Sequence, residues 1–392
     1  MSSYLDIFDF SILQLILYVA LWAIIGGLPG FYMFYSRNHN PRMGARLGMI
    51  TGIGLGVMFA GMESLEPEEI FNNALFLWLW AIVLSFFIPR GTYNQTASIR
   101  QSVADLAYGM LLPTFLIVMA IVVIPMIWNV LFAFRPITLR NLQSVDLFSL
   151  DDLSLDNFDR VINARRGRFW YLLRISLFYT FVGSLIAIVM GLIAALIVKD
   201  KFPGRGVYRG ILLFPYIAPV VAVALIWQQM LNARLGFVNE LIADAGGTRT
   251  DFLTTQGWAL AAVIAFQAWR YFPFAFLFIL ARIQAMPEEL YEAAQVDGAV
   301  PSQRLLYITL PQLRSVFGTL FLLRFIWTFN KFEDIFLLNG GAANTEVLPV
   351  QIYNWLFARK NIGASSAVAL IMAAVLLLLV GIYFKWFLVE EE

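Results

Sequence analysis

The sequence contains no cysteine and only one histidine, His39. Disulfides, thiolate metal sites and cysteine nucleophiles are thereby excluded, and so are metal centres built from several histidines. Charge is scarce as well: Asp, Glu, Lys and Arg make up 14% of 392 residues and sum to +1. A soluble domain carries about 25% charged residues, so this chain lacks the polar surface of one or two globular domains. The small net charge offers no general basic face to nucleic acid. No Gly-x-x-x-x-Gly-Lys-Ser/Thr loop is present to cradle nucleotide phosphates. The longest loops, near 135–170 and 284–312, are too short for a soluble domain. What is abundant is apolar side chain, at 60% of the residues. These proportions describe an all-α polytopic membrane protein, because in hydrocarbon a helix is what satisfies a backbone's hydrogen bonds within one segment.

A crossing helix needs about 20 mostly apolar residues. Nine such spans are expected, near 10–35, 45–62, 71–89, 107–134, 171–198, 207–231, 257–283, 313–338 and 366–389. The first is too long for a signal-peptide core, and Asp6 and Asp9 precede it instead of lysine or arginine, so no cleaved signal is expected. Arginine and lysine near span ends mark the cytoplasmic side. Arg37, Arg42 and Arg46, then Arg90 and Arg100, then Lys199, Lys201, Arg205 and Arg209 fall in alternate loops. This places the N-terminus outside and the C-terminus inside. Arg135, Arg165, Arg166 and Arg168 lie on the outer side and violate the rule mildly. Residues 1–100 read as three spans with short loops and 101–392 as six spans with longer ones. Gly44, Gly48, Gly52 and Gly56 form a small-residue stripe on the second span, which plain helix packing explains. The tryptophans at span ends, such as Trp170, Trp258 and Trp386, suit interface anchoring.

The loop at 284–312 is the most informative stretch. Pro287 suits a first helical turn, and Glu288 and Glu289 suit a helix N-terminus. Leu290, Ala293 and Ala294 fall on one face at i, i+3 and i+4. Gly298 ends the helix, and Pro301 is expected to start a second short helix running to Pro311. The expectation is an amphipathic helix pair that sits in a groove on a partner protein. Glu292, Ala293, Ala294, then Gly298, then Ile308-Thr309-Leu310-Pro311 make up a specific string between two spans. It resembles the coupling loop of permease subunits of binding-protein-dependent ABC importers, most closely the maltose-type carbohydrate-uptake family.

Other segments carry the same likeness: Leu112-Pro113 and Ile124-Pro125, Leu155-Asp156-Asn157-Phe158, Phe169-Trp170, Thr180, and Phe329-Asn330-Lys331-Phe332-Glu333-Asp334-Ile335 with Asn339-Gly340-Gly341. The resemblance runs from about residue 106 to the C-terminus. Ala342-Ala343 stands where the family often has glycine and proline, so that loop is expected to differ in shape. The first three spans match extra helices of some members in topology alone. The resemblance implies a transport subunit that is not itself an enzyme, in a bacterial or archaeal plasma (inner) membrane. Its partners would be a second homologous permease, two ATP-binding cassette subunits that hold ATP and Mg, and an extracytoplasmic solute-binding protein. Glu292, Ala293, Ala294 and Gly298 would couple to the ATPase. This chain would bind no cofactor or metal.

Two stripes inside the spans point to a polar pathway. Gln267, Arg270, Tyr271 and Phe274 lie at i, i+3, i+4 and i+7; Arg324, Trp327 and Thr328 lie at i, i+3 and i+4. An intramembrane arginine is costly and faces water or a partner. The family alignment places all seven on sugar-contacting positions. It also places Glu333 there, but nine residues after Arg324 on a straight helix is the opposite face, so Glu333 is left out. Aromatic planes with hydrogen-bonding neighbours suit a sugar's apolar faces and polar edges. The cargo is expected to be a sugar or glycoside, with a polyol or glycosylated compatible solute, possibly anionic, as the alternative. The two arginines either hold an anionic group or pair with acids as a structural lock. A polytopic enzyme would need catalytic acids, bases or metal ligands at membrane depth, and the spans show no paired carboxylates. An ion-driven transporter would show inverted repeats or intramembrane acids, and neither is evident.

Overall fold

The computed structural model describes residues 117–142, 153–163 and 168–387, with a few isolated positions before them. The three N-terminal spans, the glycine stripe on the second, His39 and Leu112-Pro113 lie outside the described residues. The chain divides into two compact units, Met1–Ile127 and Trp128–Glu392. Among the described residues there is no strand, only an isolated antiparallel bridge between Thr138 and Asn361. The all-α expectation holds.

A π-turn, Met119–Val123, leads into α1 (Ile124–Ala133). Then come α2 (Asp156–Asn163), α3 (Arg168–Val198), α4 (Arg205–Ile217), α5 (Val220–Met230) and α6 (Phe237–Asp244). They are followed by α7 (Trp258–Gln284), α8 (Glu288–Val296), α9 (Pro301–Phe329), α10 (Glu333–Asn339), α11 (Leu348–Tyr353) and α12 (Ile362–Phe387). Helices α3, α7, α9 and α12 are long and apolar enough to cross a membrane.

The most extensive packing among these helices joins α3 to α7. Small residues permit it. A Cβ on Gly191 would lie 2.7 Å from both Ala275 Cβ and the Phe276 backbone nitrogen, and one on Gly183 would overlap the Gln267 carboxamide. Without water to expel, helices in a bilayer gain most from such close approach. The pairing of 183 with 267 and 191 with 275 makes α3 and α7 parallel. Helix α9 runs the other way beside α7, since Gln267 meets Thr328 while Arg282 meets Gln312.

Two expected elements take a different form. The span expected at 207–231 is a broken one: α4 and α5 meet at 93°. Pro219 lacks a donor and forces Ala218 into extended backbone (φ −61°, ψ 141°), which ends the helix. The second difference concerns the helix starting at Pro301. It does not stop at Pro311 but continues as α9 to Phe329. A π-turn at Leu305–Thr309 precedes Pro311 and absorbs its missing N–H. The span expected at 313–338 therefore starts earlier and breaks at Asn330, whose side chain caps the Ile326 carbonyl at 2.8 Å.

Helix α2 is tied to the end of α1 through one carboxamide. Buried Asn157 donates to the Ala133 carbonyl at 3.1 Å and the Arg135 carbonyl at 2.7 Å. Asn157→Ala removes both bonds, leaving the Arg135 carbonyl only the Ile137 N–H at 2.8 Å, and is expected to cost about 1–3 kcal/mol, seen as a lower unfolding midpoint in detergent. An unchanged midpoint would show that water replaces the carboxamide. The loop after α10 is closed by Asn339, whose Nδ2 meets Thr345 Oγ1 at 2.9 Å. Ala343 and Asn344 both take positive φ there, 50° and 65°, so the alanines do not prevent a left-handed turn.

Candidate functional site

The two stripes meet. Gln267 Nε2 donates to Thr328 Oγ1 at 3.1 Å, and Arg324 Nη2 donates to the same hydroxyl at 3.0 Å. The Arg324 guanidinium lies 4.2 Å from the centre of the Tyr271 ring. Phe274 and Trp327 pack edge to face, with centroids 5.1 Å apart. Six of the seven residues expected along the pathway thus meet at one α7–α9 contact, and Arg270 turns to the Ala218 carbonyl instead.

The cluster has two layers. Gln267, Arg270, Tyr271, Arg324 and Thr328 are buried. Phe274 and Trp327 cover them, with Trp327 45% exposed. Tyr216, from the end of α4, extends this aromatic layer with ring centroids 6.2 Å from Phe274 and 6.3 Å from Tyr271. The result is an open aromatic face over a polar interior.

Tyr271 organises the interior. Its hydroxyl donates to Asp334 Oδ1 at 3.3 Å and accepts from Arg270 Nε at 3.3 Å. Three cations surround its ring: Arg324, Lys331 at 4.9 Å and Arg270 at 5.6 Å. Asp334 is 1% exposed and is the buried carboxylate facing them. Among the described residues neither arginine makes an ion pair with a carboxylate. Arg270 instead donates from Nη1 to the Ala218 carbonyl at 3.2 Å, satisfying backbone at the α4–α5 break. Arg324 Nε, Asp334 Oδ2, Gln267 Oε1 and Tyr179 Oη are buried without a protein partner. Buried polar atoms of this kind are normally paired, so the interior holds unused donors and acceptors.

Lys331, Asp334 and Tyr216 were not singled out from sequence. The signal for the first two was the charged run directly after Phe329. It becomes relevant only because the chain breaks at Asn330 and turns Asp334 back toward Tyr271. Glu333 goes elsewhere: its side chain is half exposed and pairs with Lys331 at 3.6 Å.

The residues expected to couple lie on the hairpin formed by α8 and the start of α9. Glu288 and Glu289 occupy the first turn of α8, and Gly298 ends it in the left-handed region at φ 79°. Glu292 and Ala293 are exposed and Ala294 is half-buried. Among the described residues no group of three or more His, Cys, Asp or Glu side chains could hold a metal.

Residues 187–388 match the family described as the binding-protein-dependent transport system inner membrane component. The trehalose/maltose transport system permease protein MalF of Thermococcus litoralis is 30% identical over 294 residues, covering 74% of this chain and 97% of that protein. The galactooligosaccharides transport system permease protein GanP of Bacillus subtilis is 26% identical, over 88% of this chain and 92% of its own. A chain of a bacterial ABC transporter involved in the import of the acidic polysaccharide alginate shares the fold, with a TM-score of 0.64 and 24% identity over 73% of this chain and 96% of that one. A match across half the sequence, and a relative aligned along nearly its whole length, make this chain a member of the binding-protein-dependent transport system inner membrane components, the family of the sugar ABC importer permeases.

Proposed function

We propose that this chain forms one half of the translocation pathway of an ATP-driven importer for a sugar or glycoside. The observation that carries the reading is the open face of Tyr216, Phe274 and Trp327 over buried hydrogen-bonding groups. A sugar ring stacks on aromatic planes and hydrogen-bonds at its edges, and this face offers both. The saccharide names of the relatives support the same cargo class. A second homologous permease would supply the other half of the pathway. Two ATP-binding cassette subunits, holding ATP and Mg, would grip the hairpins through Glu292, Ala293, Ala294 and Gly298. A solute-binding protein would deliver the cargo at the opposite membrane face, with this chain's N-terminus outside and its C-terminus cytoplasmic. Residues 1–100 would add three helices beside the six-helix core of 101–392.

Within this reading the cargo is anionic. Three cations converge on Tyr271 against two carboxylates, buried Asp334 and the half-exposed Glu333 that pairs with Lys331, which leaves one net positive charge that a neutral saccharide or polyol does not need. Arg324 and Lys331 would face the cargo, while Arg270 holds the broken span. The test is ATPase stimulation and uptake by the whole complex, reconstituted in vesicles with its binding protein. The probes are matched oligosaccharides that carry either a hydroxymethyl or a carboxylate at the same carbon. Uptake of the carboxylate form is expected, and Lys331→Gln should reduce it roughly tenfold, the order of one charge-assisted hydrogen bond. Uptake of the neutral form alone would make the cations structural. No response to any saccharide or polyol would overturn the importer reading.

A further inference from the structure

The hairpin holds one contact that nothing in the motif explains. Helix α8 buries none of its residues; Leu290 is 44% exposed and Val296 88%. The half-buried Tyr291 alone reaches from it into the core made by α3, α7 and α9. Its hydroxyl lies 3.0 Å from Thr309 Oγ1 and 3.1 Å from the sulfur of buried Met286. Thr309 is itself buried and is the last residue of the π-turn. Apart from this contact, the link from α8 to α9 runs through the turn at Gly298, with φ 79° and open space around its α-carbon.

The position of Thr309 gives the contact its meaning. One continuous helix carries Thr309 and, about 22 Å further along at 1.5 Å per residue, Arg324. Trp327 and Thr328 follow one turn later. A π-turn holds one residue more than an α-helical turn, so it is the place where α9 can yield. Displacement of α8 that arrived only through the glycine turn would be absorbed there. Displacement delivered at Thr309 enters α9 at the far end of the yielding turn, beyond which the rest of the helix moves as a rod.

We propose that the Tyr291–Thr309 contact is the latch through which α8 moves the pathway wall on α9. Tyr291 is thus a positioning residue that converts ATP hydrolysis into movement of Arg324, Trp327 and Thr328. The inference rests on the reading that the hairpin is gripped by an ATPase. Without the latch the ATPases still dock and hydrolyse, but fewer turnovers carry cargo.

The test compares cargo transported per ATP hydrolysed in the full reconstituted complex. The variants are Tyr291→Phe, Thr309→Val and Thr309→Ser. Tyr291→Phe keeps the ring and removes the hydroxyl; Thr309→Val keeps the shape and removes the partner. Both are expected to lower the ratio about fivefold, the order set by one lost hydrogen bond. Combining them should be no worse than Thr309→Val alone, which also loses the 3.3 Å bond from Thr309 Oγ1 to the Arg304 carbonyl, because both break the Tyr291–Thr309 contact. Thr309→Ser restores a hydroxyl and should restore the ratio. An unchanged ratio in both single variants would overturn the latch, and so would equal losses in Thr309→Val and Thr309→Ser. If Tyr291→Phe failed to co-purify with the ATPase, the two Thr309 variants would decide the question. Absence of ATP-dependent uptake in the unaltered complex would count against the importer reading and not against the latch alone.

Discussion

Gly191→Val is expected to destabilise the bundle by forcing α3 away from α7. The first added carbon already lies 2.7 Å from Ala275 Cβ and from the Phe276 backbone nitrogen. Both residues are fully buried, and a backbone atom cannot rotate away as a side-chain tip can. Overpacking a close contact typically costs about 1–3 kcal/mol, and the two further carbons of valine press on the same wall. The effect reaches function because α7 carries Gln267, Arg270, Tyr271 and Phe274 on the same helix. A fall of several degrees in the unfolding midpoint of the detergent-purified protein is expected, with loss of uptake. Gly206→Ala and Gly210→Ala serve as controls, since a Cβ at either meets nothing within 4 Å. These should be neutral or slightly stabilising, because alanine is the better helix former. Equal midpoints for Gly191→Val and the controls would mean that α3 and α7 do not pack this closely.

Asp334→Leu is expected to cost more. Its carboxylate is the buried negative charge facing Arg270, Arg324 and Lys331, all of which gather around the Tyr271 side chain that donates to it. Removing one member of a buried charged set leaves the others uncompensated and costs about 3–5 kcal/mol. Asp334→Asn keeps an acceptor for Tyr271 and loses only the charge, so it should fall between leucine and the native residue. Adding Arg324→Met to Asp334→Leu should recover part of the loss, because a cation and its counter-charge are then removed together. The measurement is the unfolding midpoint across these variants. Additive losses in the double variant would show that Asp334 and Arg324 do not share one electrostatic cluster.

The sequence carried the class and much of the local chemistry. Scarce charge and long apolar runs required membrane helices, since nothing else satisfies a backbone in hydrocarbon. Pro287, the acidic pair Glu288-Glu289 and Gly298 delimited α8 correctly, because capping is decided within a few residues. The stripes on α7 and α9 were legible for the same reason: helical periodicity alone puts Arg270 beside Phe274 and Arg324 beside Thr328.

What the sequence could not settle was where helices bend and what then comes together. Pro215, Pro219, Pro273 and Pro311 all interrupt apolar runs, yet only the Pro219 site turns the chain by 93°. Pro311 is passed through because a π-turn beside it absorbs the missing donor. Local sequence does not distinguish these cases; the packing on either side does. The break at Asn330 had the largest consequence. It placed Asp334 rather than Glu333 against Tyr271 and brought Lys331 to the same ring. The sequence by itself thus determined that this chain lives in a membrane, that it carries a short helix ended by Gly298 between two spans and that polar stripes line two of its helices. Only the tertiary structure decided that the stripes face each other, that Arg270 caps a broken span, and that Tyr291 ties the hairpin to α9. Those are contacts between residues far apart in the chain, and the energies that select them belong to the packed bundle and not to any one segment.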